Sequence, residues 1–116
     1  RLNDYYAWIP GTNSIGEWLQ MDLGKTRSVA GMVTQGRSDY WQWVLSYRVK
    51  VSDDGEEWTD VECGRIFDGN KDRNTQERRV FDYPVRARYV RIYPETYYGY
   101  MAIRAGVLLC ESECSD

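Results

Sequence analysis

Apolar residues recur at every second position in several stretches of the chain, and this spacing constrains the fold more than any other feature. The alternation is clearest over residues 19–23, 47–51 and 103–109. A period of two places one residue type on one face of a β-strand, whereas a helix requires a period of 3.6. Val, Tyr, Trp, Ile, Phe and Thr, which favour strands, outnumber the helix formers Ala and Leu. The sequence therefore predicts an all-β fold.

Turn residues separate these alternating stretches. Asp54-Gly55 lies between the strand patterns at 47–51 and 58–61, which predicts a two-residue hairpin turn. Gly, Pro, Asn, Asp and Ser also cluster at 10–14, 36–39 and 68–70. Strands at this spacing indicate an antiparallel sandwich or barrel, and 116 residues suffice for one domain.

The chain contains no histidine. This excludes a Ser-His-Asp triad, a Cys-His pair and zinc held by imidazole. The acidic pairs Asp53/Asp54 and Glu56/Glu57 flank the expected hairpin turn, where solvent surrounds them. A catalytic base must instead lie beside a nucleophile in a cleft. We therefore predict a protein that is not an enzyme.

The aromatic and charged residues favour a recognition module. Trp and Tyr, at 5 and 10 residues, far outnumber the 2 Phe residues, and both combine an apolar ring with a hydrogen-bonding tip. The formal net charge of −3 argues against nucleic acid as a partner.

The three cysteines, Cys63, Cys110 and Cys114, are an odd number. One of them must be a free thiol or must pair outside this sequence. Cys110 and Cys114 lie in a hydrophilic end segment, which is typical of a domain boundary closed by a disulfide. We therefore expect a secreted, extracellular protein.

Several short motifs follow one another in a fixed order. They are RLN at 1–3, EWLQMDLG at 17–24, VTQG at 33–36, WVLSYRVKVS at 43–52, DGEEW at 54–58, FDGN at 67–70, RYVRIYP at 88–94 and IR at 103–104. Together they resemble the discoidin (coagulation-factor type C) domain family. The stretches at 36–47 and 84–88 are most similar to slime-mould discoidin lectins, and the ending LCESEC at 109–114 is retinoschisin-like.

This resemblance implies an eight-stranded antiparallel jelly-roll barrel with recognition loops at one end. It also implies a non-enzymatic module that binds glycans or phospholipid head groups. The domain would occupy residues 1–110, with its first strand and loop missing upstream, and residues 111–116 would be a C-terminal tail. In the family, a cysteine in that upstream segment pairs with the one at the position of Cys110.

The segment after Gly36 is the first candidate for ligand binding, because the resemblance makes it a projecting loop. It carries Arg37, Asp39, Tyr40 and Trp41. A carboxylate and a guanidinium can hold sugar hydroxyls while an aromatic ring stacks on the sugar's C–H face. The same ring could enter a membrane interface, or the loop could pack on its neighbours.

Two further positions are candidates for the same ligand site. Asn13 falls where some members of the family carry a ligand-binding polar residue. Tyr98 lies in a Tyr-rich segment, 97–100, which the resemblance places near the recognition loops.

A candidate metal site has oxygen-bearing side chains at alternate positions. Asp68, Asn70 and Asp72 would be its ligands, and calcium would be the metal. The EF-hand pattern fails because Arg73 and Arg79 occupy the positions of its Gly and Glu. The alternative is a structural turn, and no cofactor is required.

Three functions remain open at this point. The preferred one is a lectin-like module that binds cell-surface or microbial glycans in adhesion or surface recognition. A second is a module that binds phosphatidylserine through a basic rim of Arg73, Arg78 and Arg104. A third is a structural adhesion subunit, in which Cys114 would link chains into a disulfide-bonded homo-oligomer.

Overall fold

The fold consists almost entirely of β-strands. The computed structural model describes residues 2–9, 18–35, 43–72, 75–98 and 103–110, with the backbone alone at 2–9 and 103–104. The strands are β1 Leu2–Ile9, β2 Leu19–Gln35, β3 Trp43–Ser52, β4 Thr59–Asp60, β5 Phe67–Asp68, β6 Glu77–Tyr98 and β7 Ile103–Cys110, and a 3₁₀ turn covers Val61–Gly64. Within these residues no helix has the length and apolar character needed to span a membrane.

One antiparallel sheet contains all of these strands, in the order β1-β7-β2-β6-β3-β4, with β5 paired to β3. The long strands β2 and β6 pair with each other along most of their lengths, with register shifts at Asp22/Arg27 and Val29/Gly31. The antiparallel all-β class is confirmed. The described residues form seven strands instead of the predicted eight, because β2 and β6 each continue through these irregularities without a break.

The core lies between the two halves of this sheet. In one half, β7 pairs with the second part of β2. In the other, β3 pairs with the last part of β6. Residues of both halves belong to one buried cluster, which includes Met32 and Val107 from the first half and Val49 and Ile92 from the second. The two halves are therefore held together mainly by burial of apolar surface.

The alternating patterns at 19–23 and 47–51 predicted the inward residues correctly, whereas the one at 103–109 did not, because all of residues 105–110 are buried. Leu19, Met21 and Leu23 are buried at 6%, 3% and 7% exposure. Along β3, Tyr47 and Val49 are completely buried. Burial in this apolar environment raises the pKa of the Tyr47 hydroxyl far above its usual range.

The predicted two-residue turn at Asp54-Gly55 was wrong in length. A hairpin does form, but the strand pairing reaches only to Val51↔Thr59. Asp54 Oδ1 accepts hydrogen bonds from the backbone N–H groups of Glu56 and Glu57, at 2.8 and 3.0 Å. These bonds stabilise a longer connection over 53–58, and they lower the pKa of the Asp54 carboxyl group.

An ion pair stabilises the irregularity in β2. Arg88 Nε donates to Asp22 Oδ1 at 2.9 Å, and the Gly24 N–H donates to the same oxygen at 2.8 Å. The hydrogen bond from Arg88, followed by the one from Gly24, lowers the pKa of Asp22 to about 2. Gly24 has a φ of 85°, a conformation that glycine adopts without strain.

Replacing Gly31 with alanine should destabilise the sheet at the second register shift. A Cβ atom there would lie 2.3 Å from the Arg79 carbonyl oxygen, so β2 and β6 would have to separate. We expect the free energy of unfolding to fall by about 2 kcal/mol or more in urea denaturation. Val80→Ala, at a neighbouring position that is 58% exposed, is the control and should change it by less than about 0.5 kcal/mol. An equal effect of both variants would contradict this explanation.

Candidate ligand-binding edge

Four strand ends meet at one edge of the sheet. β2 ends at Gln35, β3 begins at Trp43, β6 ends at Tyr98 and β7 begins at Ile103. The register joins these ends in two pairs, because Trp43 pairs with Tyr98 and Gln35 pairs with Arg104. Asn70 links the two pairs, since it donates hydrogen bonds to the carbonyl oxygens of Thr34 in β2 and Val44 in β3. We call this the loop edge. In the sequence, segment 36–42 connects β2 to β3, and segment 99–102 connects β6 to β7.

A stacked aromatic pair lies at the loop edge. The rings of Trp43 and Tyr98 have centroids 4.7 Å apart and are tilted by only 18°. Trp43 is 8% exposed, whereas Tyr98 is 54% exposed. The neighbouring Tyr97 is half-buried and packs against the core. The scaffold therefore holds the Tyr98 ring in a fixed position while much of its surface contacts solvent.

Most of the predicted ligand-binding residues are outside the part of the chain that the structure describes. Arg37, Asp39, Tyr40, Trp41 and Asn13 all fall there. Of the six predicted residues, the structure places Tyr98 alone, and it places Tyr98 at the loop edge.

The basic rim predicted for phospholipid binding is described at one position. Arg78 is exposed near the start of β6, and the preceding residue, Glu77, pairs with Thr34 of β2. Arg73 and the side chain of Arg104 lie outside the described residues.

Asn70 occupies a buried position beside the end of β2. Its Nδ2 donates to the carbonyl oxygens of Thr34 and Thr75, at 3.1 and 2.9 Å. Its backbone N–H donates to the Val44 carbonyl oxygen at 2.8 Å. The Oδ1 atom is buried and has no hydrogen-bond partner among the described residues. Asn70 thus links three segments near the loop edge, and its Oδ1 is the atom that would contact a calcium ion.

The other two predicted calcium ligands have different surroundings. Asp68 is exposed in β5. Asp72 accepts hydrogen bonds from the backbone N–H and the hydroxyl group of Thr75, at 2.7 and 2.8 Å. No group of three His, Cys, Asp or Glu side chains in the described ranges could hold a metal ion. The hydrogen bonds are those of a structural turn, and calcium binding stays a prediction.

The cysteines are described at two positions. Cys63 is an exposed free thiol in the turn Val61–Gly64. Cys110 is buried at 6% exposure where β7 ends. Cys114 lies outside the described residues.

One arrangement was not predicted from the sequence. Arg91 lies between the rings of Trp18 and Trp58, on the outer face of the sheet. The alternation of Arg91 with the buried Val90 and Ile92 indicates only that Arg91 points outward. Its neighbours depend on a strand register that local sequence does not reveal.

The sequence and the structure resemble known proteins over most of the chain. A sequence model of the family described as F5/8 type C domain matches residues 1–107. Lactadherin of Mus musculus is 42% identical over 109 residues, which is 90% of this chain and 24% of lactadherin. The chain thus spans about a quarter of that relative.

Two solved structures share the fold. Discoidin II of Dictyostelium discoideum has a TM-score of 0.77 at 26% identity, over 97% of this chain and 43% of that one. The family 32 CBM from C. perfringens NanJ, solved in complex with galactose, has a TM-score of 0.60 at 17% identity, over 92% of this chain and 93% of that one. The second likeness shows the fold alone.

Asn70→Asp tests whether hydrogen bonds or a calcium ion stabilise the turn that contains Asn70. The substitution places a carboxylate oxygen against two carbonyl oxygens, so the free energy of unfolding should fall by about 2–4 kcal/mol in urea denaturation. Asp68→Asn changes an exposed side chain and is the control. Added calcium should leave the melting temperature of the unmodified protein unchanged. A calcium-dependent rise in that temperature would contradict the hydrogen-bond explanation and support a metal site.

Proposed function

The chain belongs to the F5/8 type C (discoidin) domain family, and on that premise we propose that it is an extracellular carbohydrate-binding module. Its ligands would be glycans on cell surfaces or microbes, and its role would be adhesion or surface recognition. It would bind and not catalyse, without a required cofactor. The family 32 CBM, which has the same fold, was solved in complex with galactose, so this fold is able to hold a sugar.

The observation that carries this proposal is the exposed Tyr98 ring stacked on the buried Trp43 at the loop edge. A ring held in place by a second ring loses little conformational entropy when a ligand stacks on it. Sugars offer apolar C–H faces to such rings, and their hydroxyl groups need polar partners. Arg37 and Asp39, in the segment between β2 and β3, are the proposed polar partners. Tyr40, Trp41 and Asn13 complete the proposed site.

Phospholipid binding is the second candidate, and exposed Arg78 favours it. A membrane-binding edge usually combines apolar tips with several cations. Of the predicted basic rim, the described residues show one exposed cation, Arg78, whereas the hydroxyl group of the exposed Tyr98 suits a hydrated sugar. We therefore rank glycan binding first, and vesicles containing phosphatidylserine provide the decisive comparison.

Removing the Tyr98 ring should weaken glycan binding. We expect Tyr98→Ala and Trp41→Ala each to raise the Kd for a galactose-terminated oligosaccharide by about tenfold, because each removes one stacking surface. Isothermal titration calorimetry measures this, after a glycan array run with calcium and again with a chelator. Tyr83→Ala, which removes a ring that is 68% exposed elsewhere on β6, is the matched control and should bind like the unmodified protein.

Four outcomes would count against the proposal. The array could show no binding, or Tyr98→Ala could bind as tightly as the unmodified protein. Sedimentation with phosphatidylserine vesicles, but not with phosphatidylcholine vesicles, would favour the phospholipid function instead. A dimer on non-reducing gels that reduction converts to a monomer would favour the disulfide-linked adhesion subunit.

A further inference from the structure

Arg91 is held in a rigid position on the outer face of the sheet. Its guanidinium carbon lies 3.6 Å from the centroid of Trp18 and 3.8 Å from that of Trp58. Its Nε donates to Gln20 Oε1 at 3.0 Å, and one terminal nitrogen donates to the Tyr93 hydroxyl group at 3.4 Å. A guanidinium fixed in this way has already lost the side-chain entropy that binding an anion would otherwise cost.

No acidic side chain in the described part of the chain neutralises the charge of Arg91. None of the ion pairs among the described residues includes Arg91, although Arg48 and Lys50 on the adjacent strand have acidic partners. Gln20 and Tyr93, its hydrogen-bond acceptors, are both neutral. Its remaining N–H groups have no acceptor within the described part of the chain. They are therefore available to an oxyanion from outside.

A second cation lies directly opposite. Lys50 pairs with Arg91 in the register of β3 and β6, and both point away from the core because Val49, Val51, Val90 and Ile92 are buried. Like charges opposite each other on one sheet face are destabilising.

The Lys50 ammonium group is 3.8 Å from Asp60 Oδ1, and the Lys50 side chain is 31% exposed. At that distance it makes only a loose ion pair and can still donate to a ligand.

We propose that Arg91 and Lys50 form a second binding site, on the sheet face, for an anionic saccharide carrying a sulfate or a carboxylate. The Arg91 fork would bind the oxyanion, and Lys50 would add a second positive charge. Trp18, which is 43% exposed beside Arg91, provides an apolar surface for the sugar ring. This aromatic surface favours a saccharide over an acidic peptide. The site lies in mid-strand, away from the strand ends that form the loop edge.

Titration with oligosaccharides of defined charge tests this site. The probes are hexasaccharides of chondroitin sulfate (sulfate and carboxylate) and hyaluronan (carboxylate alone), with neutral chitohexaose for comparison. Calorimetry measures Kd, and the indole N–H signals of Trp18 and Trp58 in NMR spectra locate the ligand. We expect binding of chondroitin sulfate that weakens with salt, and no binding of chitohexaose at this face. Binding of hyaluronan as well would identify the carboxylate as a sufficient anion, and its absence would identify the sulfate.

The variants separate this site from general charge attraction. Arg91→Gln should raise the Kd for chondroitin sulfate by about tenfold or more, and Lys50→Gln by about threefold, since each removes one cation from the oxyanion. Lys50→Gln leaves the Trp18–Arg91–Trp58 stack intact, so it remains informative if Arg91→Gln unfolds. Lys25→Gln removes an exposed charge at the first register shift of β2, between Asp22 and Arg27, and should have no effect. Tyr98→Ala should also have none, which distinguishes this site from the loop edge.

Four results would overturn the proposal. Chondroitin sulfate could fail to bind, or Lys50→Gln could bind it as tightly as the unmodified protein. Lys25→Gln could weaken binding as much as Lys50→Gln, which would indicate attraction to net charge alone. A hexaglutamate peptide that binds as tightly as the saccharide would identify an acidic peptide as the ligand class.

Discussion

The pairing of β2 with β6 is the interaction on which the rest of the structure depends. These two strands, Leu19–Gln35 and Glu77–Tyr98, lie side by side through both halves of the sheet. β7 adds to β2, and β3 adds to β6, so the core forms only when the long pair has the correct register. Asp22 and Arg88 stabilise one irregularity of this pair, and the absence of a side chain at Gly31 permits another.

Local patterns in the sequence predicted the strands and the direction of their side chains. Leu19, Met21 and Leu23 alternate because one face of β2 is buried, and such a face can be read from spacing alone. Side-chain hydrogen bonds are harder to foresee. Those accepted by Asp54 stabilise a hairpin connection that is longer than the predicted two residues. Arg91 and Gln20, which are 71 positions apart, meet only through the register of the sheet.

The candidate ligand site could be predicted only in part from the sequence. Tyr98 could be selected because family resemblance assigned its segment to the recognition end, and the sheet does place it beside Trp43. Its stacking on a buried ring required the three-dimensional structure. The aromatic residues thus differ in role: Trp43 supports an exposed ring, while Trp18 and Trp58 fix the position of an arginine. In both places the scaffold orders a side chain before any ligand arrives.

The proposed ligand site lies at the loop edge. NMR spectra recorded during titration with methyl β-galactoside test it most directly, because every amide reports on nearby binding. We expect the amide signals of Gln35, Trp43 and Tyr98 to shift, while those of Lys25, at the first register shift of β2, and Gly55, in the β3–β4 hairpin, should not. Shifts confined to Lys25 and Gly55, or no shifts at the loop edge, would contradict it.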